Sequence, residues 1–169
     1  MATDCDVKEL FERYSDMIYR IAMSYGNSVS FAEDAVQEVF LRYLKRMPKF
    51  ESCEHEKAWF IRVTVNYCKS VLSSVWLKRT CSLESAGQIA VPFGQREEDE
   101  LYETLSCLSP KYRIVLYLRY YEEYQVKEIA EILGITPNLV SARLLRARKL
   151  MKQKLLQERE EFQDGTRTV

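Results

Sequence analysis

Cationic side chains dominate one stretch near the end of the chain, since every charged residue between Thr136 and Leu156 is basic. Arginine and lysine donate charge-assisted hydrogen bonds to phosphate oxygens, and an arginine can also bind a guanine edge through two hydrogen bonds. This pattern indicates binding to nucleic acid rather than a chemical reaction. The cations are Arg143, Arg146, Arg148, Lys149, Lys152 and Lys154.

Two helices joined by a tight turn are predicted to position these cations. An apolar helical repeat ends at Leu133, and Gly134 follows where a helix commonly ends in a residue of positive φ. Thr136 then offers a capping oxygen, and Pro137 suits the first helical position, whose amide would be unpaired anyway. The order is that of a helix-turn-helix, whose second helix lies in the major groove of DNA. A helical hairpin with a solvated basic face is the alternative.

The second of these helices divides into a packing stripe and an outward face. The stripe is narrow and apolar, and it consists of Val140, Leu144, Ala147 and Met151. Candidate base and phosphate contacts lie on the opposite face and its flank, namely Asn138, Ser141, Ala142, Arg143, Leu145, Arg146 and Lys149.

Charge is distributed unevenly along the 169 residues, although the net charge is zero. Residues 1–80 carry 12 basic and 11 acidic side chains, residues 81–107 carry 1 and 6, and residues 108–169 carry 12 and 8. The neutral total therefore hides an acidic middle and a basic final part, an asymmetry that bears on partners.

Neither a metal centre nor a disulfide framework is expected. The five cysteines are scattered without a C-x-x-C pair, and His55 is the single histidine, so no metal and no cofactor is predicted. Cys68 is expected to be a small core residue. No leader peptide and no long uncharged apolar segment is evident, so we expect a cytoplasmic protein without membrane insertion.

The chain is predicted to be all-α, with two small helical domains joined by a flexible linker, because strand patterns are almost absent. The domains are placed at 1–80 and 98–158, the linker at 81–97 and a tail at 159–169. Helices are predicted at about Val7–Tyr25, from a capping box at Ser30–Glu33, at about Lys57–Lys78, at about Glu98–Leu108 and from Ser109-Pro110 to Tyr120.

The second predicted helix has two unlike faces. Its core face holds Ala35, Val36, Val39, Phe40, Tyr43 and Leu44, and its outer stripe holds Asp34, Gln37, Glu38, Leu41 and Lys45. Asp34 and Glu38 are like charges four residues apart, which is mildly unfavourable in an isolated helix. The stripe therefore indicates a basic partner surface, and a solvated face explains it equally well.

The third predicted helix places an aromatic ring beside cations and an amide. Its buried side holds Ile61, Val65, Cys68, Val71, Leu72 and Val75, and its other side holds Trp59, Arg62, Asn66, Lys69 and Ser73. Rings stack on bases and cations meet phosphates, so this face suits nucleic acid. A core position for Trp59 is the alternative.

Three segments in this order resemble the bacterial RNA polymerase sigma factors of the extracytoplasmic-function group, within the sigma-70 family. The first, AEDAVQEVFLRYLK (Ala32–Lys45), looks like the helix that docks on the clamp helices of the large polymerase subunit. The second, KAWFIRVTVNYCKSVL (Lys57–Leu72), looks like the helix that recognises and melts the minus-ten element. The third spans Leu108–Met151 and looks like the domain that reads the minus-thirty-five element.

The resemblance implies roles for the outward faces. It implies core RNA polymerase, promoter DNA and an anti-sigma factor as partners, nucleoid association when bound to polymerase, and no enzymatic activity. A loop at Pro48–Glu56, including Phe50, corresponds to the loop that captures a flipped base in relatives. The residues that match polymerase-docking positions are Asp34, Gln37, Glu38 and Leu41. Those that match minus-ten contacts are Phe50, Trp59, Arg62, Asn66 and Lys69. Those that match groove contacts lie on the outward face of the second helix of the helix-turn-helix and include Ser141, Ala142, Arg143, Leu145 and Arg146.

Departures from the family pattern bear on the promoter sequence. Ser141 stands where a basic residue is usual, and Leu139 stands where a small polar residue is usual, so we expect a different upstream element. A free-standing helix-turn-helix regulator with a sigma-like fold is the alternative function. An enzyme acting on nucleic acid is disfavoured, since we find no carboxylate cluster, no glycine-rich phosphate loop and no cysteine–histidine pair.

Overall fold

Two compact units make up the chain, Met1–Val91 and Pro92–Val169. The computed structural model describes residues 4–26, 28–79, 105 and 107–165. The predicted linker at 81–97 lies outside these residues, and so does most of the helix predicted at Glu98–Leu108. Among the described residues there are helices and no strand, which confirms the predicted all-α class.

The N-terminal unit is a bundle of three helices, α1 (Asp4–Gly26), α2 (Val29–Arg46) and α3 (Cys53–Arg79). Each helix packs on the other two. The apolar spacing of each helix turns one side inward, as predicted from the sequence. Fully buried side chains from all three helices form the core, among them Ile18, Ile21, Val39, Phe60, Ile61 and Val65.

Cys68 is part of this core, as expected from its place on the apolar side of α3. Its side chain is completely buried. Burial raises the pKa of the Cys68 thiol to about 12, so the group stays neutral at physiological pH and behaves as a small apolar side chain.

Several residues predicted for the core lie nearer the surface. Leu44 is 45% exposed, and Val36, Val71 and Leu72 are half-buried. The apolar sides of α2 and α3 are wider than the area that the neighbouring helices cover, so residues at the edge keep contact with solvent. The side chain of Val75 lies outside the described residues.

The start of α2 differs from the predicted capping box at Ser30–Glu33. The helix begins at Val29, and the Ser28 hydroxyl accepts a hydrogen bond from the Phe31 amide at 3.4 Å. Both serines offer a capping oxygen, so local chemistry alone does not choose between them. The earlier start places the Phe31 ring against Gly26 and 6.1 Å from the ring of Tyr67, contacts that local sequence does not specify.

The start of α3 also lies earlier than predicted, which shortens the loop predicted at Pro48–Glu56. Residues 53–56 are helical, and the Ser52 hydroxyl accepts a hydrogen bond from the His55 amide at 3.1 Å. The preceding helix ends at Arg46 and is capped by Met47, whose φ of 41° is left-handed and whose amide donates to the Tyr43 carbonyl at 2.7 Å. The non-helical loop is therefore 47–52, and Phe50 lies within it.

The C-terminal unit contains α4 (Pro110–Leu116), a π-helical turn (Tyr117–Tyr121), α5 (Val126–Leu133) and α6 (Pro137–Gly165). The helix predicted from Ser109-Pro110 to Tyr120 is thus α-helical only to Leu116. Ser109 makes no side-chain cap, and its carbonyl instead accepts from the amides of Tyr112 and Arg113. Residues Ile114, Val115, Leu118, Ile129, Val140 and Ala147 form the core.

The turn between α5 and α6 has the predicted chemistry. Gly134 has a φ of 65°, and the Thr136 hydroxyl accepts a hydrogen bond from the Leu139 amide at 3.2 Å. At the start of α5, Gln125 donates its backbone amide to the Glu128 carboxylate at 2.7 Å. Helix α6 continues to Gly165 and therefore includes residues 159–165 of the predicted tail.

Across the described ranges, no helix has the length and apolar character needed to cross a bilayer.

Candidate nucleic-acid interface

The outward face of α6 presents most of the predicted DNA contacts together. Val140, Leu144 and Ala147 are buried on the packing side, and Met151 is half-buried. Arg143 lies on the flank and is half-buried. The remaining candidates are all exposed on one face, namely Asn138, Ser141, Ala142, Leu145, Arg146 and Lys149.

The chemistry of this face fits a DNA groove. Arg146 can donate two parallel hydrogen bonds to a guanine, and Asn138 can bind an adenine edge or a phosphate. Leu145 is 69% exposed, an unusual position for a large apolar side chain, and a thymine methyl group would remove it from water. The face therefore combines donors with an apolar contact.

The loop 47–52 carries its aromatic residue into a group of rings on α2 and α3. We define the aromatic cluster as Tyr43, Phe50, His55, Trp59 and Phe60. The Phe50 ring centroid lies 5.8 Å from Trp59, 6.5 Å from Tyr43 and 5.6 Å from His55, and Trp59 lies 5.1 Å from Phe60. Phe60 is fully buried, so the cluster joins the core to the surface.

Trp59 is half-buried, which lies between the exposed position predicted for it and the alternative core position. Tyr43 and Phe60 cover part of the indole, with Tyr43 at 6.1 Å in an edge-on arrangement. Farther along the same side of α3, Arg62, Asn66 and Lys69 are exposed. An aromatic surface thus continues into a polar stripe along one helix.

The outer stripe of α2 has a different character. Asp34, Gln37 and Leu41 are exposed, and Leu41 is 41% exposed. Glu38 is half-buried and forms an ion pair with Arg42 at 2.8 Å, with the Arg42 guanidinium 5.5 Å from the Tyr67 ring. The pairing offsets the repulsion expected between Asp34 and Glu38. Burial raises the pKa of Tyr67, and the nearby Asp34 carboxylate raises it further.

Sequence reasoning missed some residues that shape these faces. The Glu38–Arg42 pair could have been predicted from the sequence, because opposite charges four residues apart in a helix are in contact distance. The positions of Tyr43 and His55 in the aromatic cluster could not have been predicted from the sequence, because the packing of α2, the loop 47–52 and α3 brings the rings together.

Within the described part of the chain, no group of histidine, cysteine, aspartate or glutamate side chains could hold a metal ion.

Comparison with known proteins gives one consistent result. The family description "Sigma-70 region 2" matches residues 10–77, and "Sigma-70, region 4" matches residues 98–151. RNA polymerase sigma factor SigV of Bacillus subtilis is 32% identical over 141 residues, which cover 83% of this chain and 85% of SigV. The chain belongs to the sigma-70 family. Its place is in the extracytoplasmic-function group, and it is a promoter-directing transcription initiation factor.

Other relatives agree with this assignment of the sigma factor. The ECF RNA polymerase sigma factor SigW of Bacillus subtilis is 27% identical over 163 residues, which cover 87% of each chain. The sigma factor RpoE of Bartonella quintana, solved with the anti-sigma factor NepR, has a TM-score of 0.72 at 21% identity and covers 89% of this chain and 96% of its own. CnrH, solved with the cytosolic domain of CnrY, has a TM-score of 0.63 at 20% identity, and the match covers 90% of this chain and 89% of CnrH. Both solved structures share the fold of this chain.

Proposed function

We propose that this sigma factor uses three separate faces in initiation: the α2 stripe for core polymerase, the aromatic cluster with α3 for the minus-ten element, and α6 for the minus-thirty-five element. The observation that carries the proposal is that most of the matched residues on each face are exposed. Because linked weak contacts reinforce one another through effective concentration, promoter binding should need the complete holoenzyme.

The α2 stripe is proposed to dock on the clamp helices of the large polymerase subunit. Asp34 and Gln37 are exposed and polar, and Leu41 beside them supplies apolar area. Glu38 contributes less free charge than its sequence position implies, because Arg42 already pairs with it at 2.8 Å. Asp34 is therefore the principal anionic contact in this proposal.

The aromatic cluster and α3 are proposed to melt the minus-ten element. A base that leaves the duplex loses stacking worth a few kcal/mol, which a pocket of rings can offset. Phe50 and Trp59 lie 5.8 Å apart at the surface end of the cluster and provide such rings. Arg62, Asn66 and Lys69 are exposed along the same helix and can hold the separated strand by its phosphates.

The outward face of α6 is proposed to read the minus-thirty-five element, with Arg146 as the principal base contact. Ser141 and Leu139 lie in the same groove-facing region and are both exposed. Because they differ from the residues usual in the family, they should change the preferred upstream sequence.

The partners of related proteins support a further proposal. RpoE and CnrH were each solved in complex with another protein, the anti-sigma factor NepR and the cytosolic domain of CnrY. We expect an anti-sigma factor to control this sigma factor too. The site of action would be the cytoplasm, and the nucleoid when the factor is bound to polymerase, since promoter DNA and core polymerase meet there. No catalytic role is proposed.

The test is run-off transcription with sigma-free bacterial core polymerase on a library of promoter fragments, with and without the protein. Transcripts that need the protein, with aligned start regions, are expected. Specific duplex binding by the free protein, with no gain on adding core, would instead identify a free-standing regulator. A matched control is Lys127→Gln, which removes an exposed charge from α5 without touching the three faces.

A further inference from the structure

A row of cations extends beyond the groove-reading face of α6. We define the cationic flank as Arg148, Lys152 and Arg159, which are all exposed. Their spacings of four and seven residues keep them within about 40° on one side of an α-helix. Among the described residues, none of the three forms an ion pair with a carboxylate. Arg159 stands between Glu158 and Glu160 in the sequence. The excess positive charge of the flank therefore lies at Arg148 and Lys152.

Most of this flank lies outside the segment that matches the family. The sigma-70 region 4 match ends at residue 151, whereas α6 continues to Gly165. A helix of 29 residues is about 43 Å long, and the major groove is only about 12 Å wide. If the first turns of α6 enter the groove, the later turns must leave it and pass the phosphates at its edge.

Tyr120 orients the first cation of the flank. The guanidinium of Arg148 lies 5.6 Å from the centre of the Tyr120 ring, and Tyr120 is 59% exposed. Tyr120 belongs to the π-helical turn that follows α4. A ring face holds a guanidinium by cation–π attraction without cancelling its charge, unlike a carboxylate. Arg148 is therefore held at the surface with its charge still available.

We propose that the cationic flank binds the DNA phosphate backbone beside the minus-thirty-five element without sequence preference, and that Tyr120 positions Arg148 for this contact. The proposal rests on the proposed function, since it needs α6 in the groove. Along the helix, the flank covers about 16 Å, and phosphates recur every ~3.4 Å on a strand. DNA is favoured over an acidic protein because Arg148 and Lys152 continue the same one-signed helix face, whereas Arg159 lies just beyond the first acidic residue, Glu158.

The first test measures promoter binding by the reconstituted holoenzyme across a range of salt concentrations. Affinity falls as salt rises, so the plot of log affinity against log salt has a negative slope. Each lost phosphate contact makes that slope less steep by about 0.9. The double variant Lys152→Gln with Arg159→Gln is expected to make the slope less steep by nearly two. It should also weaken promoter binding several-fold near physiological salt. Preference among upstream sequences should stay unchanged, because phosphates carry no sequence information.

Lys127→Gln is the matched control, since Lys127 is an exposed cation on α5 and does not belong to the cationic flank. It should leave the slope unchanged. An equal loss in this control would show that net charge rather than the cationic flank matters, and the proposal would fail. An unchanged slope in the double variant, or a loss of core binding in its place, would also overturn it.

The second test concerns Tyr120 as a positioning residue. Tyr120→Phe keeps the ring and should retain wild-type affinity, whereas Tyr120→Leu should weaken promoter binding. Combined with Arg148→Gln, Tyr120→Leu should add nothing further, because the two residues act through one contact. Full additivity would contradict the positioning role. If the wild-type protein formed no promoter complex with core polymerase, the proposed function itself would have failed before any variant was compared.

Discussion

Glu56 connects two helices of the N-terminal unit through a single carboxylate oxygen. The Tyr14 hydroxyl donates to Glu56 Oε1 at 2.8 Å, and the Arg13 guanidinium approaches the same oxygen at 3.3 Å. Tyr14 is only 4% exposed, so the contact joins α1 to the first turn of α3 beneath the surface. Burial and, to a smaller extent, the hydrogen bond to Glu56 together raise the pKa of Tyr14 to about 12. The contact therefore supports the part of α3 that follows the loop 47–52.

Tyr14→Phe should destabilise the N-terminal unit by about 1 kcal/mol at neutral pH, because one hydrogen bond is lost and Glu56 loses a buried partner. The folded pKa of Tyr14 is raised above the value of 10.0 expected when unfolded. Its contribution to stability is thus complete below about pH 10 and lost as the pH rises towards 12. Urea unfolding of the wild type and of Tyr14→Phe, at neutral pH and near pH 12, measures this difference in stability when it is followed by tryptophan fluorescence.

Both tryptophans, Trp59 and Trp76, belong to the N-terminal unit, so their fluorescence reports on that unit alone. Tyr112→Phe changes a tyrosine of the other unit and is the control. An alkaline loss of stability as large in Tyr14→Phe as in the wild type would refute the role of Tyr14.

Arg146 is the other residue whose chemistry can be isolated. Arg146→Ala should weaken recognition of the upstream element by roughly 1–3 kcal/mol if the guanidinium binds a guanine with two hydrogen bonds. Footprinting of the reconstituted holoenzyme on promoter variants measures both affinity and preference. Unchanged affinity and preference would remove Arg146 from the base contacts.

At the scale of elements, the join between α1 and α2 depends on one glycine. The first helix is predicted to end at about Tyr25, and in the structure Gly26 is the last residue of α1. A methyl group added there would lie 2.2 Å from Cδ1 of Phe31. Close packing against that ring, rather than a left-handed backbone, explains the glycine, whereas Gly134 is needed for its φ of 65°.

Gly26→Ala should lower the free energy of unfolding of the N-terminal unit by about 1–3 kcal/mol, since the ring must move within a packed join. In the double variant Gly26→Ala with Phe31→Ala, most of the Phe31 ring is absent and the added methyl group no longer meets it. The loss of stability in the double variant should therefore be smaller than the sum of the losses in the two single variants. Urea denaturation of the single and double variants measures this. Simple additivity would show that the two residues do not collide.

At the scale of the whole molecule, the residues proposed for polymerase docking differ from those proposed for DNA contact, so variants should separate the two activities. Asp34→Lys reverses the one exposed anion proposed for docking and should abolish co-purification with core polymerase. The fold should survive, because Asp34 is exposed and has no ion-pair partner among the described residues. Co-purification on tagged core, with circular dichroism of the free variant, measures the two effects.

Glu38→Lys offers a comparison, because it also breaks the pair with Arg42. It should lower helix stability slightly as well as weaken docking. Normal co-purification of Asp34→Lys with core polymerase would exclude the α2 stripe as the docking surface.

Local chemistry in the sequence was enough for the helix-turn-helix. The left-handed Gly134, the capping hydroxyl of Thr136 and the first-turn Pro137 each act within a few residues of their own position. The all-α class and the packing side of each helix followed from periodicity for the same reason. Family membership followed from three such segments in order.

Only the tertiary structure decided features that join distant residues. Tyr14 meets Glu56 across 42 residues, the aromatic cluster unites α2, the loop 47–52 and α3, and Tyr120 reaches Arg148 on another helix. It also decided which serine caps α2 and how far Trp59 is buried. Hydrogen bonding and side-chain periodicity are set by near neighbours, whereas these contacts depend on how whole helices pack, which no local pattern specifies.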